Sequence, residues 1–137
     1  TGVQSVIAGI GGVGATDYTR LVRPAAANMY FASGGSTVVT ASDTTTDDGS
    51  ARVVAVRAKI STPVLQFWRD GVMRAQNTNT QGTGAYATGV VSIGSLNGGS
   101  FLSGRIYGLM WINRLLDNAE ALRIARRMNA LARFTPW

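Results

Sequence analysis

The sequence predicts an all-β fold, an antiparallel β-sandwich closed by a single C-terminal amphipathic helix. Short apolar runs recur at the roughly 8–12 residue spacing of sandwich strands. Gly-, Asn- and Asp-containing turns separate them, and one stretch alone has helical periodicity. The chain has 137 residues, 45% hydrophobic and 15% charged, enough to bury one core. It reads as a single domain, 1–137, in which 1–18 form a Gly-rich, flexible opening segment.

The strand candidates follow in order. Val3–Ile10 is apolar and runs into the glycine-dense Gly9–Gly14. Thr19–Val22 and Asn28–Ala32 flank Pro24 and an alanine cluster, and Ser33-Gly34-Gly35 reads as a hairpin turn into Thr37–Ala41. The polar stretch Ser42–Ser50 has no apolar residue to bury and is placed on the surface. Ala51–Ile60 and Val64–Arg69 precede Asp70-Gly71, a dipeptide that favours the positive φ angles of a two-residue hairpin turn, and Val72–Ala75 follows. Asn77–Gly84 is a second polar loop, Val90–Ile93 a short strand, and Asn97-Gly98-Gly99 a turn. Phe101–Ile112 is the last and longest strand candidate, with Tyr107 and Trp111 on one face. Trp111 is expected in the core.

The helix is predicted over Asp117–Arg133. Asp117 is placed as its N-cap and Glu120 as the return partner of a capping box, with Leu116 positioned to pack on Ala121. Ala121, Ile124, Ala125, Met128, Leu131 and Ala132 share one face; Arg123, Arg126, Arg127 and Arg133 fall away from it. Pro136 ends it.

Composition narrows the chemistry. The chain has no Cys and no His, which removes the commonest general base, the commonest metal ligand and every Ser-His or Cys-His pair. No apolar run approaches the roughly 18 residues of a membrane-spanning helix. Net charge is +6, and twelve of the thirteen bases are Arg, with Lys59 alone. These bases are scattered, with no run longer than Arg126-Arg127, so nucleic acid as a partner rests on net charge alone and is disfavoured. The chain opens on Thr1 rather than Met, as a processed product or excised fragment would.

Four segments taken in order, A-R-V-V-A-V-R-A, L-Q-F-W-R-D-G-V, V-V-S-I-G-S and F-L-S-G-R-I-Y-G-L-M-W-I-N-R-L-L-D-N-A-E-A-L-R-I, resemble the laminin-G-like, concanavalin A-like jelly rolls. The resemblance covers Ala51–Leu131, about three-fifths of the chain, and is most specific in the closing Gly-x-Ile, Asn-Arg-Leu and Asp-x-x-Glu steps; the first fifty residues carry no signature. It implies a jelly-roll sandwich of a kind that recurs in phage tail, fibre and head-decoration proteins and in secreted glycan-binding proteins.

Gly9-Ile10-Gly11-Gly12-Val13-Gly14 matches the dinucleotide fingerprint, yet the following residues allow barely two helical turns before Pro24. Glycoside hydrolysis needs two carboxylates about 5–9.5 Å apart, and no strand offers a pair. Asp43, Asp47 and Asp48 present oxygen ligands suited to a hard cation, so calcium is the one cofactor suggested. Tyr86, Asn77, Asn79 and Trp137 are the candidate glycan or interface contacts; Trp68 is a further aromatic anchor. The resulting expectation is a non-enzymatic structural or attachment module of a phage particle or similar appendage, on a virion or cell surface. It would be homo-oligomeric or docked in a larger assembly, acting through protein or glycan contacts. A carbohydrate-binding module of a secreted bacterial protein is the alternative.

Overall fold

A computed structural model describes residues 5–11, 18–24, 28–46, 50–84, 90–95 and 101–133. Among these residues eight strands form two antiparallel sheets, and one helix follows them. The strands are β1 (Ser5–Ile10), β2 (Thr19–Arg23), β3 (Tyr30–Gly34), β4 (Val38–Ser42), β5 (Val54–Lys59), β6 (Val64–Arg69), β7 (Val72–Asn77) and β8 (Val91–Ile93); the helix is α1 (Asn118–Arg133). The first sheet has the order β4-β3-β2-β1-β8 and the second β5-β6-β7.

The all-β sandwich with one C-terminal helix is therefore the observed fold class. The predicted strands up to Asn77 fall within a few residues of their expected positions. Residues 5–10, within the strand candidate Val3–Ile10, form β1, which has a strand on each side. The run Val6-Ile7-Ala8 is apolar enough to seat it there: Val6 and Ala8 are buried and Ile7 packs against the core.

The strand that carries the start of the dinucleotide-like glycine pattern pairs in the antiparallel sense. A dinucleotide site needs a parallel strand–helix–strand crossover, and β1 and β2 pair antiparallel from Ser5↔Arg23 to Ile10↔Thr19. The residues between them are too few for a crossover helix.

The core lies between the sheets. Leu21, Phe31, Val39 and Ala41 from the first meet Leu65 and Phe67 from the second, and Met29 joins them. Leu65 and Phe67 are 0% exposed, and burial of this kind contributes about 1.5–3 kcal/mol per side chain. Strands β6 and β7 pack beneath β3 and β4. Asp70 and Gly71 turn β6 into β7 with φ of 51° and 79°, the two positive angles that make Asp-Gly the favoured pair.

One expectation about the loops changes, and a second loop proves to be partly buried. Asp43, in the stretch placed on the surface, is 1% exposed, and Gln81, in the second polar loop, is 0% exposed. The Gln81 amide donates to the carbonyls of Lys59 (2.9 Å) and Val64 (3.1 Å), while its own carbonyl accepts from Gly35 N (2.9 Å) and Thr37 N (3.2 Å). It thereby ties the β3–β4 hairpin to the β5–β6 turn.

The helix cap is as predicted. Glu120 N donates to Asp117 Oδ1 at 2.7 Å, and Asp117 N to Glu120 Oε2 at 3.4 Å. Ala121 and Ala125 are buried and Arg123, Arg126 and Arg127 exposed. Leu131, assigned to the packed face, is 62% exposed, because nothing described reaches the last turn of the helix.

Phe101–Ile112 forms no strand. Tyr107 and Trp111 are each 50% exposed, so the expected core position of Trp111 is not observed. Residues 108–112 of the segment line one cleft with β5 without pairing to it.

Candidate functional site

An apolar cleft of about 950 Å³ runs along the edge of the second sheet. It exists because the two sheets differ in width. Among the described residues β5 pairs with β6 alone, and no strand pairs with its other edge. All six residues of β5 border the cleft, so it wraps around both faces of the strand. On the core side it is walled by Ala8, Ile10, Leu21 and Phe31, with Val54, Val56 and Ala58. On the outer side the wall is Trp68 with Ala121, Ile124 and Met128 of α1, and Leu109–Leu116 form its rim.

Ala8 and Ile10 are register partners of Ile93 and Val91, so these four side chains share the inward face of the first sheet. Ile93 and Val91 nevertheless stand 54% and 53% exposed, since that sheet extends past β5.

A polar cluster clamps the outer face of β5 and β6. Arg57 Nε donates to Gln66 Oε1, Nη1 to Leu116 O at 2.6 Å, and Nη2 to Asn118 Oδ1. Gln66 Nε2 continues the chain to Gln76 Oε1 at 2.7 Å. Trp68 lies under the Arg57 guanidinium, 5.8 Å from ring centroid to Cζ, and is half-buried rather than presented to solvent. Burial lowers the Arg57 pKa, partly offset by Asp117. Trp68 alone of these stood out in the sequence, as an aromatic; Arg57, Gln66, Gln76 and Asn118 did not, because their partners lie nine or more residues away.

The predicted site residues do not converge. Asn77 and Asn79 lie at the end of β7: Asn77 Nδ2 donates to Thr40 O at 2.9 Å and its Oδ1 accepts from Asn79 N at 2.9 Å. Both ends of the Asn77 amide are thus engaged internally. Tyr86 and Trp137 lie outside the described residues.

Of the calcium candidates, Asp47 and Asp48 also lie outside them. Asp43 is turned inward, with Oδ2 3.2 Å from Arg69 Nε and Oδ1 accepting from Thr45 N at 2.9 Å. Among the described residues no group of three or more acidic side chains could hold a metal, and no helix is long and apolar enough to cross a membrane.

Strands β4 and β7 end their respective sheets on the side away from the cleft and pack on one another. Val72 and Met73 of β7 are 51% and 45% exposed there. Compared with protein-family models, curated proteins and solved structures, the chain matches none.

Proposed function

We propose that this domain is a non-catalytic structural or attachment module of a phage particle or similar surface appendage, working through protein–protein contacts on its β4–β7 side. The observation that supports it best is the pair of sheet edges there, to which no further strand is paired among the described residues. Neither VVTAS nor VMRAQN contains Lys or Pro, and a single Arg74 is the only charge on the two strands. Edges without such protection invite another chain, and exposed Val72 and Met73 offer it apolar contact. The preference for Arg over Lys also suits an interface, where Arg is enriched and Lys depleted. On this reading the Ala51–Leu131 resemblance to laminin-G-like jelly rolls is one of fold, and Trp137 is a further contact to a neighbour. The carbohydrate-binding alternative draws less support, because Asn77 spends its amide within the fold.

Light scattering at roughly 50 µM, where an interface of micromolar Kd is largely occupied, is expected to show self-association. Val72→Lys and Met73→Lys should each shift the population towards monomer without changing the fold. A wild-type monomer under these conditions, together with binding on a glycan panel, would replace this function with the carbohydrate-binding one.

A further inference from the structure

We propose that residues 106–112 are a strap that adds to the free edge of β5 as a further strand and closes the apolar cleft, the described conformation being its open state. The shape of the cleft points to this first. A groove reaches both faces of a strand only where that strand has no neighbour, and the cleft touches every residue of β5. A strand placed there would fill it.

The chemistry of the two walls is the second observation. Ala8, Ile10 and Leu21 lie on one side of the open position, and Ala121, Ile124 and Met128 on the other. A strand inserted between them is buried on both faces, so it needs apolar residues at successive positions rather than alternate ones. Ile106-Tyr-Gly-Leu-Met-Trp-Ile112 has that pattern and no charge. In the open state it leaves Ile106 38%, Tyr107 50%, Leu109 45%, Met110 55% and Trp111 50% exposed. A contiguous exposed run of this kind marks surface that something covers.

Position is the third. The carbonyl of Leu116 is held by Arg57 of β5, and Leu102 N donates to Gly94 O at 2.7 Å just beyond β8. The run is therefore tethered at both ends beside the open edge, and Leu109–Ile112 already line the cleft. Seven extended residues span about 23 Å, and the six of β5 about 20 Å, so the lengths agree. Closure also places side chains beneath Val91 and Ile93, whose inward face nothing else in the described chain covers. The tethers make this addition intramolecular, which favours the chain's own segment over a second copy. The β5 edge lies across the sandwich from the β4–β7 side, so this inference does not depend on the proposed function.

Amide hydrogen exchange on the full chain tests it. Residues 106–112 and β5 are expected to be protected together, exchanging about 100-fold more slowly than unstructured chain, and equally so at low and high protein concentration. Leu109→Pro, which removes a backbone donor, should release both segments while β3 and β4 stay protected. Exchange of wild-type 106–112 at the rate of unstructured chain would overturn the proposal. So would protection that disappears on dilution, which would assign the edge to a second copy. The wild-type pattern decides the matter even if the proline variant does not fold.

Discussion

Arg69 and Asp43 form a buried ion pair, Nε to Oδ2 3.2 Å apart, with side chains 2% and 1% exposed. The pair joins the end of β6 to the segment after β4, and Arg69 Nη1 also donates to Thr45 O at 3.3 Å. The contact is one of charge more than of hydrogen bonding: Nε is not aligned on Oδ2, and Nη2 has no hydrogen-bond partner among the described residues. Removing one charge strands the other in a water-poor site. Asp43→Ala and Arg69→Ala are each expected to destabilise the domain by about 3–5 kcal/mol, whereas the double variant Asp43→Ala with Arg69→Ala should cost far less than the two single changes together. Denaturant unfolding of the four proteins checks this; additive single effects would show that the pair is uncoupled. Because Asp43 is committed to Arg69, millimolar calcium is expected to leave the wild-type melting temperature unchanged.

Gln81 makes a second long-range tie. Its side chain serves two carbonyls of the β5–β6 turn, and its backbone carbonyl serves two amides of the β3–β4 hairpin. Gln81→Ala leaves Lys59 O and Val64 O without this donor in a buried position, at about 1–3 kcal/mol each. Gln81→Glu keeps the shape, loses both donors and adds a buried negative charge, so it should be no more stable than the alanine variant. A Gln81→Glu protein as stable as wild type, measured by thermal unfolding, would remove the amide from this role.

Asp70 holds the start of β5 against the β6–β7 turn. Oδ1 accepts from Val53 N at 3.0 Å, the Asp70 amide donates to Val53 O at 2.8 Å, and Oδ2 lies 3.2 Å from Arg52 Nη1. Asp70→Gly would preserve the positive φ while deleting the carboxylate, and is expected to cost about 1–2 kcal/mol. Asp70→Val should cost more, because a β-branched residue resists φ of 51°. Equal losses for the two would mean that backbone conformation contributes nothing here.

These three sites and the helix cap differ in how far they were legible in the sequence. Asp70-Gly71 and Asp117–Glu120 were readable because both halves of each interaction lie within four residues, where spacing alone determines geometry. Asp43 was misplaced, and the burial of Gln81 was not read, because their partners are 26 residues away in Arg69, and 17 and 22 residues away in Val64 and Lys59. A polar residue in a polar loop gives no local sign of burial. The apolar run Phe101–Ile112 signalled that it wants cover, but apolar content does not say which edge supplies it. The cleft was invisible for the same reason: it follows from the unequal widths of two sheets.

The helix start supplies a pH-dependent prediction. Both oxygens of Glu120 accept from Arg114, each at 2.8 Å, and Oε2 also receives the Asp117 amide. These contacts, chiefly the hydrogen bonds from Arg114, hold the Glu120 pKa down at about 2, against an ordinary value of 4.5. A carboxylate whose pKa is lowered by folding stabilises the folded state while it is ionised. Its contribution is therefore complete above about pH 4.5 and is lost as the pH falls towards 2. Carbon-detected NMR titration should place the Glu120 midpoint near 2, and Arg114→Gln should return it towards 4.5. Glu120→Gln, which cannot titrate, should flatten the part of the stability profile that lies between those values. An unchanged midpoint in Arg114→Gln would show that Arg114 does not hold the carboxylate ionised and that the cap alone accounts for its state.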